Sequence, residues 1–239
     1  MADTHPLLEV QRLDLYADEL RARRAGLPER AACTAREAEL AALAGLRAET
    51  EGRRSALARE ERLLEGKVAD LGAKAREVEA RLYSGTTRAI KELEALQHEL
   101  GEWQRRRGEE EAAELALMEQ EERVVAELAA LGARGATLEA ELGALRMALA
   151  ASEAELDAEL ARVQEARGNA ARELDASLLR RYDSLRASPP IRGRAAVRLA
   201  DGACLGCRRA LPIAFVSGLY GHAEGATAHC PHCGRILVL

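Results

Sequence analysis

Aromatic side chains are nearly missing from this chain of 239 residues: they make up 3% of it, with one Phe, one Trp and four Tyr. The thick interiors that enclose most catalytic sites draw heavily on such residues, so a wide globular core is not expected. Proline is missing between Pro28 and Pro189, which leaves a very long stretch without an obligatory helix breaker. No apolar run approaches the length needed to span a bilayer, and Met1-Ala2-Asp3-Thr4-His5 lacks the basic flank and apolar core of a signal segment. A cytoplasmic protein without a membrane partner is expected. No Ser-His-Asp set, paired-carboxylate site or glycine-rich phosphate loop is legible, so no catalytic residue, small-molecule substrate or enzymatic activity is expected.

What the chain has in abundance is Ala, Glu, Leu and Arg, the composition of long helices. Charged residues are 31% with both signs interspersed, the mark of a solvated helical surface. The net charge of −5 is unevenly placed: beyond residue 187, six arginines face Asp201 and Glu224, which gives +4 there and leaves −9 on the remainder. An acidic helical part and a basic C-terminal module follow.

Residues 7–27 place Val10, Leu13, Ala17, Leu20 and Leu27 at heptad-like spacing, a first amphipathic helix, and Gly26 and Pro28 predict a kink near 26–28. From 29 to 83, Leu43, Thr50, Leu57, Leu64, Leu71 and Val78 recur every seven residues. Their companion positions are Leu40, Arg47, Arg54, Glu61, Val68, Ala75 and Leu82, so this is a coiled-coil seam about 80 Å long. Residues 83–88 then break the pattern: Gly85 suits a positive φ, and Ser84, Thr86 and Thr87 offer capping hydroxyls. Apolar residues resume at Leu93 and alternate at threes and fours to Ala170, predicting one returning helix that ends near Tyr182, Ser188 and Pro189-Pro190. The fold expected is mainly α: a long kinked antiparallel coiled-coil hairpin over 1–187 with its tip at 83–88, then a small β module over 188–239.

Polar lapses in the two arms mirror one another about Ser84. Folding there sets Arg47 against Glu121, Arg54 against Glu114 and Glu61 against Arg107, opposite charges that would fix register unless they are merely solvated lapses. Thr50 and Glu110 do not fit this pairing. The same rule places residues 7–27 opposite 141–161. Arg105, Arg106 and Arg107 are offset by Glu109, Glu110 and Glu111 and read as charged surface. Cys33, alone in an Ala-rich helix, reads as a small packing residue.

The C-terminal module is too short to hold a fold by apolar burial alone and needs a staple. Cys204-Leu205-Gly206-Cys207 and Cys230-Pro231-His232-Cys233 supply one: two knuckles whose backbone amides can face the thiolates complete the four-sulfur set that zinc prefers, with iron the competing metal. One structural zinc is expected, held by Cys204, Cys207, Cys230 and Cys233. Four thiolates close the coordination shell, so His222, His229 and His232 are expected at the surface or behind the ligands. Arg192, Arg194 and Arg198 alternate with apolar residues like a strand with one basic face. With Arg208, Arg209 and Arg235 they form a candidate binding face for nucleic acid or an acidic protein surface. Phe215 and Tyr220 could stack on bases but more readily form the module's small core. Module and hairpin are expected to share little core, so that metal loss spares the helices.

Leu82-Tyr83-Ser84-Gly85 followed by Lys91-Glu92-Leu93 and Gln97, together with Cys204-x-x-Cys207 and Cys230-Pro-x-Cys233-Gly-Arg-Ile-Leu, resembles the bacterial C4-type zinc-ribbon proteins with an N-terminal coiled-coil hairpin. The resemblance covers nearly the whole chain, although Ala89-Ile90 stands where that family usually has Asn-Pro. It implies an adaptor or nucleic-acid-binding protein, some members being linked to the alternative sigma factor 54 and to flagellar or type III export. The expectation is a non-enzymatic, chaperone-like adaptor that binds protein through its coiled coil, the alternative being a regulator that binds RNA or DNA through the basic ribbon.

Overall fold

The structure, a computed structural model, describes residues 5–86, 89–219 and 226–239. Helix α1 spans Pro6–Ala25, opened by Pro6 in its first turn and by His5, whose Nδ1 accepts the Leu7 amide at 3.1 Å. Gly26 caps it and Pro28 begins α2, Pro28–Tyr83, so the expected interruption falls at 26–27. Helix α3 runs Ile90–Arg172. Beyond it the expected single helix is interrupted. Asp175 caps a separate helix α4, Ala176–Arg186, by accepting the Ser177 and Leu178 amides. A short 3-10 turn, Pro189–Ile191, leads to the sheet.

The chain divides into two compact units, residues 32–145 and residues 1–31 with 146–239. In the first, α2 and α3 form an antiparallel hairpin whose seam follows the sequence pattern. Leu64, Ala75 and Val78 on α2 and Leu96, Val124, Leu138 and Leu142 on α3 are buried, and Cys33 is a buried packing residue as expected. Thr50 is also fully buried, its hydroxyl donating to Leu46 O at 2.9 Å and accepting from Arg53 at 3.1 Å. At the tip, Gly85 has φ +73, and Ser84 Oγ donates to Arg81 O and accepts the Thr86 amide. Thr87 and Arg88 lie outside the described residues.

The register differs from the one expected by one heptad along α3. Arg54 lies 3.5 Å from Glu121 instead of meeting Glu114, and Arg107 bonds Glu111 on its own helix. Glu61 therefore faces carboxylates: partial desolvation first, then Glu121, Glu114 and Glu65, push its carboxyl above the ordinary range. Glu110 is taken by Lys67 at 3.5 Å, and Arg53 reaches Glu127 at 2.7 Å. The cause is geometric. A slide of seven residues carries every seam position onto another seam position, so apolar periodicity cannot see it. Pairing Arg54 with Glu121 moves the mirror point beyond Ser84 into the connection between Tyr83 and Ile90. Arg105 pairs with Glu102 and Glu109 on its own helix, the charged surface expected.

In the second unit, Leu13, Ala17 and Leu20 of α1 pack on Leu160 and Val163 of α3. Arg24 lies 2.8 Å from Asp157. The partner stretch is again displaced toward the C-terminus from the expected 141–161. A second cluster joins Leu7 and Val10 of α1, Tyr182 of α4, and Ile191, Ala195, Ala196, Ile236 and Val238 of the C-terminal module. This overturns the expectation that helices and module share little core: the module's strands cover the end of α1 because their inner face has no other apolar partner.

The module is a four-stranded sheet in the order β2-β1-β4-β3, with β1 Ala196–Ala200, β2 Ala203–Cys204, β3 Thr227–His229 and β4 Ile236–Val238. β1 and β4 are parallel, Val197 opposite Leu237, while the outer pairs are antiparallel. Helix α5, Ile213–Leu219, lies between β2 and β3 in sequence. The basic strand expected from Arg192 onward is shorter than its pattern. Arg192 has φ +50 and Gly193 φ +77, so Arg192 and Arg194 sit in a turn ahead of β1 and only Arg198 lies on the strand.

Candidate metal centre

The two Cys-x-x-Cys segments fold into knuckles with one hydrogen-bond pattern. In the first, Arg208 N donates to Cys204 O at 2.7 Å and Cys204 N to Arg209 O at 3.1 Å. In the second, Gly234 N donates to Cys230 O and Cys230 N to Arg235 O, both at 2.9 Å. The residue after the second cysteine turns left-handed in each, Arg208 at φ +57 and Gly234 at φ +72. Glycine suits that conformation and arginine does not, so the first knuckle carries backbone strain that the second lacks.

This folding brings the four sulfurs together. Cys204 Sγ and Cys233 Sγ are 3.9 Å apart, Cys207 Sγ and Cys230 Sγ 3.8 Å, and all four lie within 4.8 Å of one another. A tetrahedron of sulfurs each about 2.3 Å from a central ion has edges of about 3.8 Å, so the spacing fits one four-coordinate ion. Among the described residues no other cluster of metal-ligand side chains has such proximity. Cys204 and Cys230 are buried, and Leu211, Leu237, Phe215 and Val216 pack around them.

Burial pushes the Cys204 thiol up to about 12, opposed by the amides of Cys207 and Gly206. Burial likewise raises Cys230, against the amides of His232 and Cys233. At Cys233 burial is outweighed by the amide and side chain of Arg235 and by neighbouring cysteines, and the thiol comes down to about 7. The knuckle amides thus face the sulfurs, as the motif predicts; they stabilise thiolates, and a bound cation would complete the compensation for burying them.

The remaining expected residues separate into two groups. Arg192, Arg194, Arg198, Arg208 and Arg209 are exposed. Arg235 is half-buried and donates to Arg194 O at 2.8 Å and Ile191 O at 3.2 Å, a brace between the second knuckle and the turn before β1. A Cβ on Gly206 would lie 2.5 Å from Arg235 Cδ, so the first knuckle needs glycine where this brace passes. Phe215 packs in the sheet's core, His229 Nδ1 lies 3.4 Å from Gly234 O, and His232 is exposed. Tyr220 and His222 fall outside the described residues.

Sequence reading missed the residues that join the module to the helices. Gln11, buried on α1, donates to Gly193 O at 2.8 Å and accepts the Ala196 amide at 3.0 Å. Asp14, also buried, accepts from Tyr182 Oη at 2.9 Å and Arg167 Nε at 3.0 Å, with Arg186 Nε 3.7 Å away. Burial, then the Asp14 charge, hold the Tyr182 phenol well above its ordinary range. A signal was present: Gln11 and Asp14 share the apolar stripe of Leu7, Val10 and Ala17, where a polar residue implies a partner.

Residues 10–189 match the CT398-like coiled coil hairpin domain, and the chain belongs to that family. No curated protein matches it. Among solved structures, a protein from Mycobacterium smegmatis is 26% identical, with a TM-score of 0.59 over 96% of this chain and 94% of that one. CT398 from Chlamydia trachomatis is 18% identical, with a TM-score of 0.67 over 98% and 95%, and shares the fold.

Proposed function

We propose that this member of the CT398-like hairpin family is a non-enzymatic cytoplasmic adaptor whose hairpin binds protein and whose C-terminal ribbon is built on one structural zinc. The observation that carries the reading is the set of four cysteine sulfurs at tetrahedral spacing, with backbone amides directed at them. Four thiolates leave no open position for a reacting water, so the metal staples the fold and takes no part in chemistry. Zinc accepts this all-sulfur tetrahedron without redox change, which suits a structural role better than iron does. Support for the adaptor role comes from the long exposed hairpin surface. Among the described residues no helix is apolar and long enough to cross a membrane.

A second reading places nucleic acid on the ribbon, supported by five exposed arginines at 192, 194, 198, 208 and 209 on a module of positive net charge. The sigma-factor and export links implied by the sequence resemblance suit either reading.

The full chain is the material for the test, since the ribbon's strands share a core with α1 and α4. Metal analysis of reduced, metal-replete protein should find one zinc per chain; less than half an equivalent, or unchanged affinity in Cys230→Ser, removes the zinc. Cross-linking pull-downs should recover protein partners through the hairpin. RNA or DNA binding that falls steeply with salt, and is lost in the triple variant Arg192→Ala/Arg194→Ala/Arg198→Ala, would put the second reading first.

A further inference from the structure

Three carbonyls of one turn take side-chain donors from two directions. Ahead of β1 the chain turns left-handed at Arg192, φ +50, and Gly193, φ +77, and Ile191 O receives the Arg194 amide at 3.2 Å. From one side Gln11 of α1 donates to Gly193 O at 2.8 Å and accepts the Ala196 amide at 3.0 Å. From the other, Arg235 donates through Nε to Arg194 O at 2.8 Å and through Nη2 to Ile191 O at 3.2 Å. The turn is held between a helix and the second knuckle.

The position of the Arg235 side chain depends on both knuckles. Its carbonyl closes the second by accepting the Cys230 amide at 2.9 Å, so its backbone is fixed where Cys230 and Cys233 are fixed. Its stem crosses the first at Gly206, where a Cβ would stand 2.5 Å from Arg235 Cδ and 3.1 Å from Nε. An ion held by Cys204, Cys207, Cys230 and Cys233 would tie the two knuckles together, since two of the sulfurs come from each. The guanidinium suits a positioning task, because two donors in one rigid plane fix an orientation as well as a distance.

We propose that Arg235 is the positioning residue through which occupancy of the metal centre sets the turn at 191–194 and, by way of Gln11, the seat of the sheet on α1. The inference rests on the zinc reading and adds to it: the ion orders the junction with the helices as well as the ribbon. By linkage, contacts that form better with metal bound must tighten the metal in return. Gln11, which ligates nothing, should therefore influence zinc affinity. A competing route runs through the pairing of Ala196 with Ile236 and through the shared core, and it does not need the Arg235 side chain. A double-mutant cycle separates the two.

The measurement is the zinc affinity of the full chain, by competition with a chromophoric chelator, in four forms: wild type, Gln11→Leu, Arg235→Met and both changes together. Each single change should weaken zinc about fivefold or more and leave one equivalent bound, because all four cysteines remain. In the Arg235→Met background, Gln11→Leu should weaken it further by about twofold at most. In zinc-loaded Arg235→Met, the Arg194 and Ala196 amides should exchange faster while those of Cys230 and Gly234 keep their protection. Should Arg235→Met fail to hold zinc, Arg235→Lys takes its place with the same expectation, since one amine does not serve both carbonyls as the fork does. Effects of the two changes that simply multiply overturn the proposal and leave the junction to the strands. An Arg235 variant with wild-type zinc affinity, or one whose whole sheet loses protection, overturns it too. If the wild-type chain takes up no zinc, the zinc reading itself falls and the proposal with it.

Discussion

In residues 1–31 with 146–239, the carboxylate that leaves water is surrounded by donors: Asp14 has Arg167, Arg186 and the Tyr182 hydroxyl about it. In residues 32–145, the polar positions of the seam stay half in water, Arg54 reaching Glu121 across 3.5 Å while Glu61 sits among other glutamates. The first arrangement allows one geometry, because an unpaired charge in that core would cost several kcal/mol. The second tolerates rearrangement, because solvent screens every member. A unique fold is thus concentrated where the C-terminal sheet joins the helices, and the polar part of the hairpin seam is left less specified.

Removing the proposed zinc tests this contrast most severely. Structural zinc in small modules is worth about 10 kcal/mol or more, so chelation, or Cys230→Ser, should abolish the sheet. Because the strands share a core with Leu7, Val10 and Tyr182, hydrogen exchange should also accelerate in α1 and α4, while residues 32–145 keep their protection. Protection of α1 unchanged by chelation would make the ribbon independent after all.

Asp14→Ala comes next. It leaves two guanidinium groups and a phenol around an empty place, and should cost about 3 kcal/mol in chemical denaturation, whereas Tyr182→Phe should cost about 1 kcal/mol. The hairpin's counterpart is a double-mutant cycle on Arg54 and Glu121, where the expected coupling is about 0.5 kcal/mol or less. A coupling there as large as the Asp14 effect would erase the distinction between the units.

Glu61 sharpens the comparison by sign. Its carboxyl is raised in the folded hairpin, so the folded form holds its proton more firmly than the unfolded chain does. That contribution to stability is present in full below the ordinary carboxylate value and is lost as pH rises through the raised value. Glu61→Gln should therefore raise the melting temperature slightly at pH 7 and do little near pH 4. A decrease at pH 7 would show that Glu61 has a cation partner.

Much of the candidate site was readable in advance because its information is local. Two Cys-x-x-Cys segments make knuckles through hydrogen bonds among neighbouring residues, and the spacing leaves them to meet. The brace formed by Arg235 was not readable, because Arg194 and Ile191, whose carbonyls it binds, lie some forty residues away in the chain and present only backbone oxygen.

Helices α1 and α2, the body of α3, their apolar stripes, the break at 26–27 and the tip near Gly85 were determined by sequence alone, since each depends on spacing within a few turns or on the φ of one residue. Tertiary structure decided the register, the polar clamps at Gln11 and Asp14, and the core that unites α1, α4 and the sheet. The reason is physical. A coiled-coil seam repeats every seven residues and is nearly degenerate under translation by a heptad, so the choice among registers falls to the length of the connection, to the ends of the helices, and to the few polar groups that have one place to go.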